Sequence, residues 1–197
     1  MSESSSLCVF CGSSAGHSPS FAEAARLIGE AIVRNRAMLV YGGGRVGLMG
    51  IVADAVLSAG GRAVGVIPEA LATKEIAHDG LSELHVVAGM HERKALMAAR
   101  SSAFLALPGG IGTFEEFFEI LSWQALGIHS KPIGLLNVGG YFDPLLSLLD
   151  HGIASRFIRP AHLRPLVVSD QAEAIVRKLL GHEDVVTPTP WLSLDQS

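Results

Sequence analysis

Charge is scarce in this 197-residue chain: only 17% of residues are Asp, Glu, Lys or Arg, and the formal net charge is −4. So little charge cannot build a broad basic face for nucleic acid or for an anionic membrane, which leaves small-molecule chemistry as the class to pursue. No apolar run is long enough to cross a bilayer. The opening Met1-Ser2-Glu3-Ser4-Ser5-Ser6 has neither the basic start nor the apolar core of a secretory signal, so a cytoplasmic location is the expectation. Cysteine is almost absent, and its two copies form a C-x-x-C at Cys8 and Cys11. A redox pair of that spacing sits at a helix N-terminus, whereas this one lies in a strand-like run. No second pair completes a zinc site, and both are expected to be ordinary buried thiols. The eight histidines form no H-x-x-x-H and no cluster at metal-ligand spacing, so no metal is expected, and His91 and His129 read as loop or surface residues.

What the chain does have is apolar residues in short blocks. With 49% hydrophobic content it can bury a core as one domain without disulfides or metal. Residues 6–10, 38–41, 63–67, 84–87, 104–107, 133–136 and 166–168 read as strands, separated by helical patterns at 21–34, 48–59, 92–100, 114–126, 144–153 and 171–180. Asp143-Pro144 and Ser169-Asp170 are helix-start signals. Because the strands are continuously apolar rather than alternating, they are expected to be covered on both faces. The fold class is therefore α/β, a Rossmann-like doubly wound parallel sheet, with a single nucleotide-binding domain over residues 1–182. Residues 183–197, carrying Pro188 and Pro190, read as a loosely packed C-terminal tail.

In such a sheet ligands bind beyond the carboxyl ends of the strands, where the glycines of this chain are gathered. The loops are Cys11-Gly12-Ser13-Ser14, Gly42-Gly43-Gly44-Arg45-Val46-Gly47, Gly89-Met90-His91-Glu92-Arg93-Lys94 and Pro108-Gly109-Gly110-Ile111-Gly112-Thr113. On one sheet edge they would build a pocket for a phosphate and a sugar. Gly109, Gly110 and Gly112 follow a strand and open a helix, where the backbone can approach closely and first-turn N–H groups bind an anion. Thr113 either joins that anion site or caps the helix, since T-x-x-E at Thr113 and Glu116 is also the spacing of a capping box. Spacing does not choose between the two.

On this helix Phe114, Phe117, Phe118, Leu121 and Ala125 form the expected core stripe, with Glu116, Glu119, Ile120 and Trp123 roughly opposite. An apolar patch on the outer face suggests a homodimer with Glu116 at the rim of the contact.

The ordered set P-G-G-x-G-T-x-x-E, Met90-His91-Glu92-Arg93-Lys94, Phe10-Cys11-Gly12-Ser13-Ser14, Tyr41-Gly42-Gly43-Gly44, Gly47-Leu48-Met49-Gly50 and 126–137 resembles the LONELY GUY (LOG) family, often mislabelled as lysine decarboxylases. The resemblance covers most of the chain. It implies a phosphoribohydrolase of cytokinin riboside 5′-monophosphates and AMP, releasing an adenine-type base and ribose 5-phosphate, with no cofactor. It also implies a catalytic pair, Arg93 and Glu116. Glu75, Lys94, Ser122 and the loop Pro108, Gly109, Gly110, Ile111, Gly112, Thr113 would contact the nucleotide, joined from the neighbouring loops by Gly12, Ser13, Gly43, Gly44 and Met90. Plant members carry Arg-Glu-Ile where this chain has Lys74-Glu75-Ile76.

Breaking a ribosyl C–N bond builds positive charge on the sugar, which a carboxylate can offset while activating water. Glu116 suits that task. Arg93 could position phosphate or sugar hydroxyls, or hold Glu116 ionised, a guanidinium lowering a neighbouring carboxyl pKa by roughly 1–3 units. Taken alone, Arg93 and Lys94 would read as a solvated helical turn. Three rivals remain. Gly42 to Gly47 fits G-x-G-x-x-G, with Glu69 near the end of the next strand, as in an NAD site, although it follows the second strand rather than the first. A pyridoxal enzyme would need a Schiff-base lysine, and Lys74, Lys94, Lys131 and Lys178 have no such setting. A non-catalytic nucleotide carrier would keep the glycine loops and need no carboxylate over the sugar.

Overall fold

An apolar run of four to six residues is stable only when both of its faces are covered, and seven such runs become the strands of one parallel sheet. The computed structural model describes residues 5–72 and 77–181. The strands are β1 (Ser6–Phe10), β2 (Met38–Tyr41), β3 (Ala63–Pro68), β4 (Glu83–Val87), β5 (Ala103–Ala106), β6 (Ile133–Leu136) and β7 (Leu166–Ser169), in the order β4-β3-β2-β1-β5-β6-β7. The connecting helices are α1 (Pro19–Arg34), α2 (Gly47–Ser58), α3 (Glu69–Ala72), α4 (Met90–Ala99), α5 (Ile111–Ala125), α6 (Asp143–Ala154), α7 (Pro160–Leu163) and α8 (Ala172–Leu179).

Burial on both faces can be followed residue by residue along β1. Leu7 and Val9 enter a core with α1, α2 and α8, while Cys8 and Phe10 enter a second core with α4, α5 and Phe142 at the foot of α6. The doubly wound α/β expectation therefore holds. Continuous burial fails only at the sheet edges: β4 leaves Leu84 and Val86 exposed, and β7 leaves Val168 exposed, because each edge strand lacks one neighbour. Cys8 and Cys11 are buried free thiols, and burial pushes their pKa values up, away from redox reactivity.

Helix starts differ more from expectation than strands do. Helix α1 begins at Pro19, because Ser18 accepts a hydrogen bond from the Ser20 N–H and Pro19 tolerates the first turn. Helix α8 is preceded by Gln171, whose N–H donates to the Ser169 hydroxyl. Two short helices, α3 and α7, escaped the periodicity, each being only four residues long. Glu69 follows β3 directly, as expected, and opens α3. The expected tail at 183–197 lies outside the described residues, as does Glu75.

The consequential shift is in α5. Its N-cap is Gly110, three residues before Thr113. Thr113 lies inside the first turn and Glu116 a turn further on, so neither can act as the ends of a capping box. The buried stripe also differs from expectation: Thr113, Glu116, Phe117, Ile120, Leu121 and Gln124 face inward, whereas Phe118 is exposed. Glu116 and Ile120 thus lie on the inward face, not on the outer one.

Candidate active site

Sheet order reverses around β1, whose neighbours are β2 on one side and β5 on the other. Loops leaving adjacent strands toward opposite faces open a crevice at such a point. Here the crevice is a cleft of about 230 Å³, walled by Phe10 to Ser13 after β1, Gly42 after β2, Met49, Leu71, Arg93, and Gly110 to Thr113 with Glu116 on α5. A larger hollow of about 690 Å³ between α1 and α2 shares no residue with these loops. It is wide, and the Arg26, Glu30 and Arg34 side chains on its rim are already ion-paired with one another or with neighbouring carboxylates.

The glycines set how closely the walls approach. A Cβ on Gly109 would lie 2.1 Å from Thr113 Oγ1, and one on Gly42 would lie 2.3 Å from Arg93 Nη2. Both positions must stay bare. The Gly12 N–H donates to the Pro108 carbonyl at 3.1 Å, tying the β1 loop to the β5 loop. No side chain caps α5, so the N–H groups of Ile111, Gly112 and Thr113 and the positive end of the helix face the cleft without a protein anion. Such an arrangement is suited to an anion such as phosphate.

The Gly42 to Gly47 run does not present a second such site. The Leu48 N–H at the start of α2 already donates to the Gly12 carbonyl at 3.0 Å. Gly47, at φ +59°, lies so close to Ser13 that a Cβ would sit 2.3 Å from its carbonyl carbon. These glycines serve loop-to-loop packing, and one first-turn N–H of α2 is already taken by the Gly12 carbonyl.

Arg93 and Glu116 meet at the cleft floor. Arg93 Nη2 lies 3.3 Å from Glu116 Oε1, and their side chains are 13% and 9% exposed. The guanidinium is aimed by Nε donating to the Val66 carbonyl at 3.2 Å, with Nη1 3.7 Å from Met90 Sδ. Burial raises the Glu116 pKa, Arg93 opposes it, and Glu115 adds to the rise, leaving the carboxyl pushed up to about 7. The guanidinium, one of whose expected roles is to hold Glu116 ionised, does lower the pKa, but burial, which the sequence did not reveal, outweighs it. A carboxyl balanced near neutrality, beside an open helix N-terminus, can exchange a proton with water at an anionic substrate.

Several expected contacts fall elsewhere. Lys94 is buried and does not line the cleft, because Nζ is held by Glu115 at 2.5 Å and Glu119 at 3.0 Å on α5. It fastens α4 to α5. Ser122 is exposed and lines a groove with Leu126 and Phe157, away from the cleft. Gly43 and Gly44 sit behind Gly42 rather than on the wall, with Gly43 at φ +77°. Met90 meets the Arg93 guanidinium rather than the cleft wall, while Pro108 and Gly109 line an adjoining hollow that shares Gly12, Ser13 and Gly110 with the cleft. Gly12, Ser13, Gly110, Ile111, Gly112 and Thr113 are on the wall as expected. Unforeseen wall residues are Val9, Phe10, Cys11, Gly42, Met49 and Leu71. The first five lay within strands or motifs already noticed, and nothing in the sequence marked Leu71. Among the described residues no group of His, Cys, Asp and Glu gathers at metal-binding geometry.

Fold and cleft together define a Rossmann-like α/β protein whose cleft sets an uncapped helix N-terminus beside a buried carboxylate and its arginine. A family model described as "Possible lysine decarboxylase" matches residues 49–179. The chain is 50% identical to the probable cytokinin riboside 5′-monophosphate phosphoribohydrolase LOGL1 of Oryza sativa subsp. japonica, over 94% of this chain and 85% of that one. It is 46% identical to LOG7 of Arabidopsis thaliana, over 96% and 89%, and 51% identical to the phosphoribohydrolase of Rhodococcoides fascians, over 87% of each. The chain belongs to this LOG family. Among solved structures, the molybdenum cofactor carrier protein of Chlamydomonas reinhardtii superposes with a TM-score of 0.68 at 22% identity, over 90% of this chain and 99% of that one, which is a likeness of fold.

The elevated Glu116 pKa has a stability consequence. Below about pH 4.5 the group is protonated both folded and unfolded, and burial costs nothing extra. As pH rises toward 7 only the unfolded state ionises, so the folded state loses about 3 kcal/mol, at about 1.4 kcal/mol per pH unit, and no more above pH 7. Glu116→Gln should therefore be more stable than wild type at pH 8 and close to it at pH 4.5, measured by urea unfolding. A wild-type-to-variant difference independent of pH would contradict the burial of this carboxyl.

Proposed function

We propose that the chain is an N-glycosyl hydrolase acting on adenine-type nucleoside 5′-monophosphates, including AMP and cytokinin nucleotides, to give free base and ribose 5-phosphate. The observation that carries the reading is Glu116: a buried carboxyl pushed to about 7, 3.3 Å from Arg93, one helical turn from an uncapped helix N-terminus. The substrate phosphate occupies the N–H groups of Ile111 to Thr113, and the ribose then reaches toward Glu116. Water adds to C1′ as the bond to the base nitrogen breaks. Glu116 takes the water's proton, the base departs with the bonding electron pair and picks up a proton, and the ionised carboxylate offsets the charge developing on the sugar. Arg93 tunes and orients Glu116. The relatives' printed activities support the same chemistry.

Among the described residues the decarboxylase label finds no lysine to carry it. Lys94 is held by two carboxylates and Lys131 Nζ donates to the Ala98 carbonyl at 2.7 Å, so neither faces the cleft. A nucleotide carrier remains the competing reading, and it gives no reason for a carboxylate buried at the cleft floor. Two free thiols fit the reducing cytoplasm.

A homodimer is part of the same proposal. Ile111 (82% exposed), Ile128 (64%) and Phe157 (92%) leave large apolar side chains in solvent around the outer side of α5, beside a groove of about 300 Å³ lined by Ala125, Leu126 and Ile158. A second copy would cover them. Since Ile111 is also a cleft residue, the site would lie near the interface. Phe157→Asp should convert the dimer to monomer in sedimentation velocity, and a wild-type monomer at micromolar concentration would refute this assembly.

Activity is read by chromatography of free base after incubation with AMP and with isopentenyladenosine monophosphate. Wild type should release base, and Glu116→Gln and Arg93→Ala should lower the rate at least about 100-fold while remaining folded. A base works when ionised, so kcat/KM should rise with pH through about 7, and residual Arg93→Ala activity should show that limb at higher pH because Arg93 lowers the Glu116 pKa. Nucleotide binding without base release from either substrate would favour the carrier.

A further inference from the structure

On the far side of the β5 loop from Glu116 lies the adjoining hollow, about 280 Å³, between the β1 loop, Phe21, Leu48, Pro108 to Gly110 and Tyr141. The Tyr141 hydroxyl donates a hydrogen bond to the Gly109 carbonyl. That carbonyl and the Gly110 N–H belong to one peptide plane, and in a trans peptide they point in opposite directions. With glycine on both sides of the plane, no Cβ resists its rotation, so the loop itself leaves the orientation weakly determined. A hydroxyl holding the oxygen on one side fixes the N–H toward the other. Gly110 is on the walls of both the hollow and the Glu116 cleft, so a carbonyl turned to Tyr141 directs the N–H toward the cleft.

The tyrosine is itself firmly placed. Its ring stacks on Phe114 at 6.4 Å and 17° and meets Phe21 and Phe142 edge-on at 5.8 and 5.0 Å. The preceding turn (Val138–Gly140) has Gly139 at φ +58° and Gly140 at φ +73°, conformations that favour glycine. It is closed by the Phe142 N–H donating to Asn137 Oδ1 and Asn137 Nδ2 donating to Asp143 Oδ1, both at 2.7 Å. A tightly built turn therefore delivers one hydroxyl to one carbonyl of the anion-binding loop.

We propose that Tyr141 is a positioning residue for phosphate recognition, locking the Gly109–Gly110 peptide so that the Gly110 N–H joins the anion-binding set. This rests on the reading of that loop as the phosphate site. Accepting the hydroxyl also polarises the peptide and strengthens its N–H as a donor. Tyr141 touches no substrate, and its effect is confined to ligands that carry phosphate.

Titration calorimetry of wild type and Tyr141→Phe with AMP, ribose 5-phosphate and adenosine tests this. Tyr141→Phe keeps the ring and its stacking. AMP and ribose 5-phosphate should bind about 3- to 10-fold more weakly, the weight of one hydrogen bond, while adenosine binding and the melting temperature stay near wild type. In turnover the KM for AMP should rise more than kcat falls. Equal weakening of AMP and adenosine would mark a merely structural tyrosine and overturn the proposal, as would unchanged ribose 5-phosphate affinity. Because binding is read directly, a wild type that binds AMP without cleaving it would defeat the hydrolase reading and leave this comparison decisive.

Discussion

A carboxylate buried beside a single guanidinium is the constraint on which the site depends. Ionised Glu116 is costly in its pocket, and Arg93 at 3.3 Å relieves only part of the cost, so the proton is held loosely near neutral pH. Such a balance requires that the two groups neither collapse into a tighter pair nor drift into water. Their chain neighbours prevent both. Lys94, next to Arg93, is clamped by Glu115 and Glu119, which flank Glu116, so α4 and α5 are locked in the register that opposes the reactive pair. The lysine expected to touch substrate instead sets the geometry of Arg93 and Glu116.

The glycines supply the second half of the design. Gly42 lets the Arg93 guanidinium reach the cleft, Gly109 lets Thr113 close against the loop, and Gly47 lets the β2 loop pack on Ser13. None of these close approaches survives a Cβ. Loops from β1, β2 and β5 thereby converge on one point above the sheet, with the α5 N-terminus opening onto the cleft and the α2 start tied to the Gly12 carbonyl. The G-x-G-x-x-G pattern is real in sequence, and its glycines are spent on loop packing.

Most of the fold was legible because parallel strands covered on both faces must be continuously apolar, and runs such as 6–10 and 133–136 can be nothing else. The open start of α5 was legible for a local reason, glycines between strand and helix. The inward face of α5 was not. Its apolar residues point roughly a quarter turn away from the true buried stripe, because three inward positions are polar. Thr113 packs under Gly109, Gln124 donates to the Lys131 carbonyl, and Glu116 pairs with Arg93 at the cleft floor. Hydrophobic periodicity misreads a helix whose buried face is reserved for hydrogen bonds and chemistry. Leu71 and Tyr141 were invisible for a different reason: each reaches the loops through tertiary packing, with no motif around it.

The account stands on the protonation of one side chain, and that can be observed without substrate. A ¹³C-detected titration of protein labelled at glutamate carboxyls should show one resonance with a midpoint near 7, absent in Glu116→Gln. If Glu116 instead titrates in the ordinary carboxylate range around 4.5, burial does not govern it, and the poised acid–base group on which the proposed hydrolysis rests is not there.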